Sequence, residues 1–282
     1  MFIIAALLAL LVLAAAFFPQ LFTQESPTDC NIKYSLQGPG PGHILGYNTI
    51  GCDIFARTVY GTRASLFVGV FATVGILLIG GVFGVLAGFF GGWLDSIVTW
   101  VSSVIFAFPL ILGVFLITYL PMFNGEKSLW TTALPITLFS WPIMARIARA
   151  AVINVKDADF VLAVRALGAS RRNIVFRHIL PNSIAPIITT AIFSLGGFIA
   201  LEATLSYLGY QPPDTRHQMV YDLGMPASVL SWANDIASGV LVIRSNPEVI
   251  AYPSIALVVT ILSFLLLGDA IGNALNPKTR KQ

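Results

Sequence analysis

Six times along this chain the residues stay apolar for about the twenty positions that a helix, rising about 1.5 Å per residue, needs to cross a hydrocarbon core of roughly 30 Å. The runs lie near residues 2 to 18, 66 to 90, 96 to 120, 129 to 150, 183 to 206 and 249 to 271. Inside lipid every backbone N–H and C=O must be paired within the protein, so such runs become helices and not open sheet. Composition agrees: 56% of the 282 residues are hydrophobic and only 10% are charged, against about 25% charged in soluble domains. The expected fold class is all-α integral membrane, six transmembrane helices forming one domain over residues 1–282. In the second run Gly80, Gly81, Gly84 and Gly88 recur at short spacings, a stripe of small residues suited to close helix packing.

Basic residues set the orientation, because Lys and Arg in short loops are retained on the cytoplasmic side. Six spans put both termini on one side. With the termini inside, ten of the sixteen basic residues are cytoplasmic: Arg146, Arg149, Lys156, Arg165, Arg171, Arg172, Arg177, Lys278, Arg280 and Lys281. The outer segments, residues 19–63 and 207–248, then hold most of the acidic residues. The first run has a competing reading as a secretory signal ending at Ala14, Ala15 and Ala16, but it lacks a basic leader and its removal would separate the charged loop from the basic tail. The expected location is a bacterial plasma (inner) membrane, crossed several times, with both termini cytoplasmic.

Cys30 and Cys52 are the only cysteines, and this topology places both outside. An oxidising compartment would let them pair as a disulfide; two separate thiols are the alternative, because a sequence carries no Cα distance.

Catalytic chemistry is mostly missing. No glycine is followed by lysine, so the phosphate-cradling Gly-Lys-Ser/Thr loop is absent and ATP energy must come from another chain. His43, His178 and His217 are dispersed over both sides of the membrane and make no shared metal site. Charge within the runs is scarce: Asp95 and Asp269 lie near run ends and Glu202 is the most deeply placed. Glu202 reads as a polar contact in a translocation path or, more simply, as a hydrogen bond between helices.

What remains is a charged segment, Asp157 to Asn182, lying between two apolar runs. Hydrocarbon cannot solvate Asp157, Asp159, Arg165, Arg171, Arg172 and Arg177, so this segment must leave the membrane. Phe160, Ala163, Val164 and Leu167 recur at helical spacing before Gly168 interrupts; Ser170 can cap a second piece, which Pro181 should end. The result is an elbow with an apolar face and a basic face, suited equally to docking a protein or to lying on anionic lipid.

Here the chain resembles a known family. Gly168, with Leu180 and Pro181 twelve and thirteen residues on, is similar to the EAA loop of permease subunits in binding-protein-dependent ABC importers, and RHILPN, from Arg177 to Asn182, is close to the dipeptide and oligopeptide permeases. LGYNTIGCDIFARTVYGTRASL (45–66), ALEATLSYLG (200–209) and LLGDAIGNALNP (266–277) resemble further segments of the C-type subunit. Leu162 stands where that motif has Glu, Val164 where it has its second Ala, and Asn48 and Cys52 where the family pattern has Asp and Arg.

The resemblance implies the type I ABC importer (MetI-like) permease fold and a coupling loop over residues 157–182 that docks an ATPase. It implies Asp159, Phe160, Ala163, Arg165, Leu167, Gly168, Ala169, Arg171, Leu180 and Pro181 as the coupling residues. Pro109, Glu202 and Ser206 become candidates for the translocation path or an interhelix polar contact. No cofactor is expected in this chain; ATP and Mg belong to partner ATPase subunits. The implied partners are a second homologous permease, two ATP-binding subunits or domains, an extracytoplasmic solute-binding protein, a peptide substrate and the lipid bilayer, with no nucleic acid. The outer segment with Trp232 and Tyr221 would receive the binding protein, or form a lid of local packing. Alternatives are a permease for nickel chelates or another small solute, an ion-coupled secondary transporter acting alone, and a membrane protein whose basic loop binds lipid.

Overall fold

The structure, a computed structural model, describes residues 2–118, 120, 129–208 and 230–275. Among these the regular structure is helical: α1 (Phe2–Phe17), α2 (Ile54–Ile76), a π turn (Leu77–Gly81) leading into α3 (Val82–Phe90), α4 (Gly92–Phe106), α5 (Leu110–Thr118), α6 (Leu129–Lys156), α7 (Asp159–Ala166), α8 (Arg171–Asn173), a second π turn (Ile174–Ile179) leading into α9 (Leu180–Tyr207), α10 (Trp232–Gly239) and α11 (Glu248–Leu275).

Four continuous helices are long and apolar enough to cross a membrane: Ile54–Phe90, Leu129–Lys156, Arg171–Tyr207 and Glu248–Leu275. The expected third span is not one straight helix. It is the pair α4 and α5, bent by 89°. Pro109 sits at the corner, where it has no N–H to continue the ladder of α4 and its own carbonyl accepts the first bond of α5 from Gly113 N at 2.9 Å. Counting the pair once gives up to five candidate spans among the described residues. The sixteen described residues of α1 form an apolar helix about 24 Å long.

The second span also starts well before residue 66. Asp53 accepts a hydrogen bond from Ala56 N at 2.6 Å and so caps a helix that runs 37 residues to Phe90. The core lies where α2, α6 and α9 meet, around Val68, Ala72, Ile76, Ile136, Met144, Ile187 and Leu205. The glycine stripe does what small residues allow. A Cβ on Gly80, Gly84 or Gly88 would collide with the carbonyls of Trp141, Ala145 and Arg149 respectively, so α3 lies directly on α6. Gly81 departs from the expected stripe, since a Cβ there would meet only Leu77, at 3.8 Å.

At the opposite end Ala16, Leu66, Ile199, Trp232 and Phe264 bring α1, α2, α9, α10 and α11 together. Arg63 donates to the carbonyls of Ala16 (2.6 Å) and Phe17 (3.2 Å), satisfying the free end of α1.

Candidate functional site: the charged elbow and the outer cap

The elbow forms as two pieces. α7 spans Asp159–Ala166; Gly168 then adopts φ +82°, the left-handed conformation that ends a helix. Ser170 follows and its side chain accepts from Asn173 N at 3.3 Å, starting the second piece. Pro181 does not stop that piece. The helix that begins at Arg171 runs unbroken through Pro181 to Tyr207, because the π turn Ile174–Ile179 widens the backbone just before the proline and relieves the clash of its ring with the preceding turn.

What holds the elbow rigid is an apolar cluster that sequence reasoning overlooked. Val152 of α6, Val161 of α7, and Ile174 and Ile179 of the second π turn are all buried, with Val85 and Phe89 of α3 packed around them. Each such side chain withdrawn from water contributes about 1.5–3 kcal/mol before entropy is counted. Lys156 Nζ donates to Gly88 O at 3.1 Å, and Arg149 grips the Asp95 carboxylate of α4, with Nη2 to Oδ2 at 2.6 Å. The elbow is thus carried on α6 at one end and on α9 at the other, with only Asp157 and Ala158 separating α6 from α7.

The expected coupling residues divide by exposure. Asp159, Phe160, Ala163, Arg165, Gly168 and Arg171 are exposed, and Leu167 is 86% exposed at the tip. Ala169 turns inward against the apolar cluster and is half-buried. Leu180 is half-buried along an intramolecular groove, whereas Pro181 is exposed on the helix beyond the elbow. Leu162, at the position of the motif's Glu, is 44% exposed and adds apolar surface where the motif has charge.

The translocation-path candidates are not brought together. Pro109 forms the bend between α4 and α5, while Glu202 and Ser206 are buried on α9. Ser65 of α2 and Ser231 neighbour the Glu202 carboxyl, whose Oε2 has no hydrogen-bond partner among the described residues.

In the segment between α1 and α2, Cys30 and Cys52 form a disulfide, with Cα atoms 4.1 Å apart. Asn48 Oδ1 accepts from Ile50 N (3.1 Å) and Cys52 N (2.9 Å) and so holds the loop around the disulfide. Next to it Arg57 donates from Nε (2.8 Å) and Nη2 (2.6 Å) to Asp235 Oδ1, a buried pair joining α2 to α10. Trp232 is 2% exposed and its Nε1 donates to Thr58 O at 2.7 Å, which makes it part of a packed lid and not a surface for a partner. Tyr221, His217, Lys278, Arg280 and Lys281 lie outside the described residues.

Long apolar helices that carry a packed, charged, apolar-tipped elbow define a helical membrane protein with an exposed contact surface. The family comparison is more specific. Residues 80–281 match the model of the binding-protein-dependent transport system inner membrane component, and the chain belongs to that family. It is 34% identical over 266 residues to the dipeptide transport system permease protein DppC of Alkalihalophilus pseudofirmus, covering 94% of this chain and 82% of the relative. It is 33% identical to the oligopeptide transport system permease protein OppC of Bacillus subtilis (98% and 85% covered) and 34% identical to the glutathione transport system permease protein GsiD of Pectobacterium atrosepticum (98% and 86%). Its fold matches a chain of the inward-facing MetNI methionine ABC transporter with a TM-score of 0.62 at 20% identity, covering 78% of this chain and 96% of that one.

Proposed function

We propose that this chain is the C-type permease subunit of an ATP-driven importer of di- and oligopeptides, and that the elbow couples nucleotide-driven closure of its ATPases to alternating access. The observation that carries the reading is the likeness, over nearly the whole chain, to permeases named for dipeptide, oligopeptide and glutathione transport. The elbow supports the coupling role. A loop can pass force to whole spans only if it is itself packed and joined to them without slack, and α7 meets both conditions. Phe160 and Leu167 fill apolar pockets on the ATPase, Ala163 and Gly168 allow close approach, and Arg165 and Arg171 pair with acidic residues there.

In this reading six spans place both termini in the cytoplasm, with α1 as the first crossing and the bent α4 and α5 as the third. A second homologous permease completes the conduit, two ATPase subunits or domains bind ATP and Mg, and an extracytoplasmic binding protein delivers the peptide. The test is to purify the chain from its own membrane with whatever accompanies it, identify the companions, and measure ATP hydrolysis with candidate ligands. Stimulation by di- or oligopeptides together with their binding protein is the expected result. Stimulation by a nickel chelate alone would retain the coupling mechanism and overturn the substrate.

A further inference from the structure

Between α3 and the start of the long helix that leaves the elbow lies a groove of about 620 Å³. One wall is Leu77, Val82, Val85 and Phe89; the other is Val175, Phe176, Ile184 and Ile188. The two π turns, Leu77–Gly81 and Ile174–Ile179, fall on opposite walls, and Gly81, which faces away from α6, leaves the floor open. At one end stand Arg171 and Arg172, both exposed, and neither has an acidic or hydrogen-bonding partner among the described residues.

We infer that this groove holds an anionic phospholipid, its acyl chains along the apolar walls and its phosphate on the arginine pair. Three features favour that occupant over a polypeptide segment. The walls supply no polar side chain along their length, which suits hydrocarbon. The cations are confined to the end where the apolar span Arg171–Tyr207 begins, and arginine stems can lie along the walls while the guanidiniums reach the phosphate. The positive end of the long helix that starts at Arg171 lies at the same place and adds to the attraction for an anion. A zwitterionic headgroup brings its own cation beside the guanidiniums and is disfavoured.

The site would place a lipid against the root of the elbow, where it touches α3 and the helix that carries the elbow but not the exposed tip at Leu167. The inference is independent of which solute is carried. Because Arg171 is also assigned to the ATPase contact, Arg172 is the residue that separates the two ideas.

The test is native mass spectrometry of the full chain, purified from its membrane with its companions. Phosphatidylglycerol and phosphatidylcholine of identical chain length are titrated in, and retention is compared. The wild type should retain phosphatidylglycerol preferentially; Arg172→Gln should reduce that preference about fivefold. Gly81→Phe, which fills the floor of the groove, should lose both lipids. Arg172→Gln alters an exposed side chain, so it keeps the test decisive should Gly81→Phe lower the thermal unfolding midpoint. Equal retention of the two lipids by the wild type, or an unchanged preference in Arg172→Gln, would overturn the inference. So would a photoreactive residue at Val82 that cross-links to a polypeptide in native membranes and never to lipid.

Discussion

Arg57 and Asp235 are separated by 178 positions in sequence, yet their side chains meet with exposures of 5% and 7%. Removing one partner of such a pair leaves the other charge buried without compensation, so Asp235→Ala should lower stability by about 3–5 kcal/mol. Chemical or thermal unfolding of the purified chain in detergent measures this, and an unchanged midpoint would show that the pair is not closed in the folded protein. The disulfide acts nearby through the unfolded state: a bridge between residues 22 apart should contribute about 3 kcal/mol, lost in Cys30→Ser and equally in wild type under reductant. Neither feature could be decided from residue types alone. The cysteines announced a possible bond but not its distance, and nothing in the spacing of Arg57 and Asp235 linked them. The burial of Trp232 was equally hidden, because an indole in an outer loop reads alike as a partner surface or as packing until Thr58 is found beneath it.

Among the elements, helix contacts divide into those that local chemistry announces and those that it does not. The break at Gly168 and the cap at Ser170 were legible because both are backbone requirements that few residue types meet. The continuation through Pro181 was not, since a π turn has no sequence signature and proline ordinarily ends a helix. The 89° bend at Pro109 was missed for the converse reason: both halves are apolar, so a window sees one span where the backbone makes two. Two predictions belong here. Gly84→Val should force α3 off the Ala145 backbone and cost at least about 1–3 kcal/mol, seen as a lower unfolding midpoint. At the elbow tip, Gly168→Arg should abolish peptide uptake while membrane insertion stays intact. Gly168→Ala bears the same left-handed backbone strain, about 1–2 kcal/mol, without the bulk, and open space surrounds its Cβ, so it should retain most uptake. Loss of uptake in both variants to the same degree would assign the effect to backbone strain and not to docking.

For the molecule as a whole, apolar run length and a low charged fraction foretold an all-α membrane protein before any contact was known. The family resemblance then supplied what hydropathy cannot, an expected role for the charged elbow in its middle. The rigid route from elbow to spans emerged only in three dimensions, through Val152, Val161, Ile174 and Ile179, which come from three separate elements. The same packing leaves the apolar groove beside α3, invisible in any linear pattern. The central claim is that energy enters this chain through the elbow and from no gradient of its own. Uptake of a labelled dipeptide into proteoliposomes tests it most directly, with the chain reconstituted alone and then with its co-purified permease, ATPases and binding protein, each with and without ATP. Accumulation is expected in the complete assembly with ATP and in no other condition; accumulation by the chain alone, driven by an imposed ion gradient, would contradict the account.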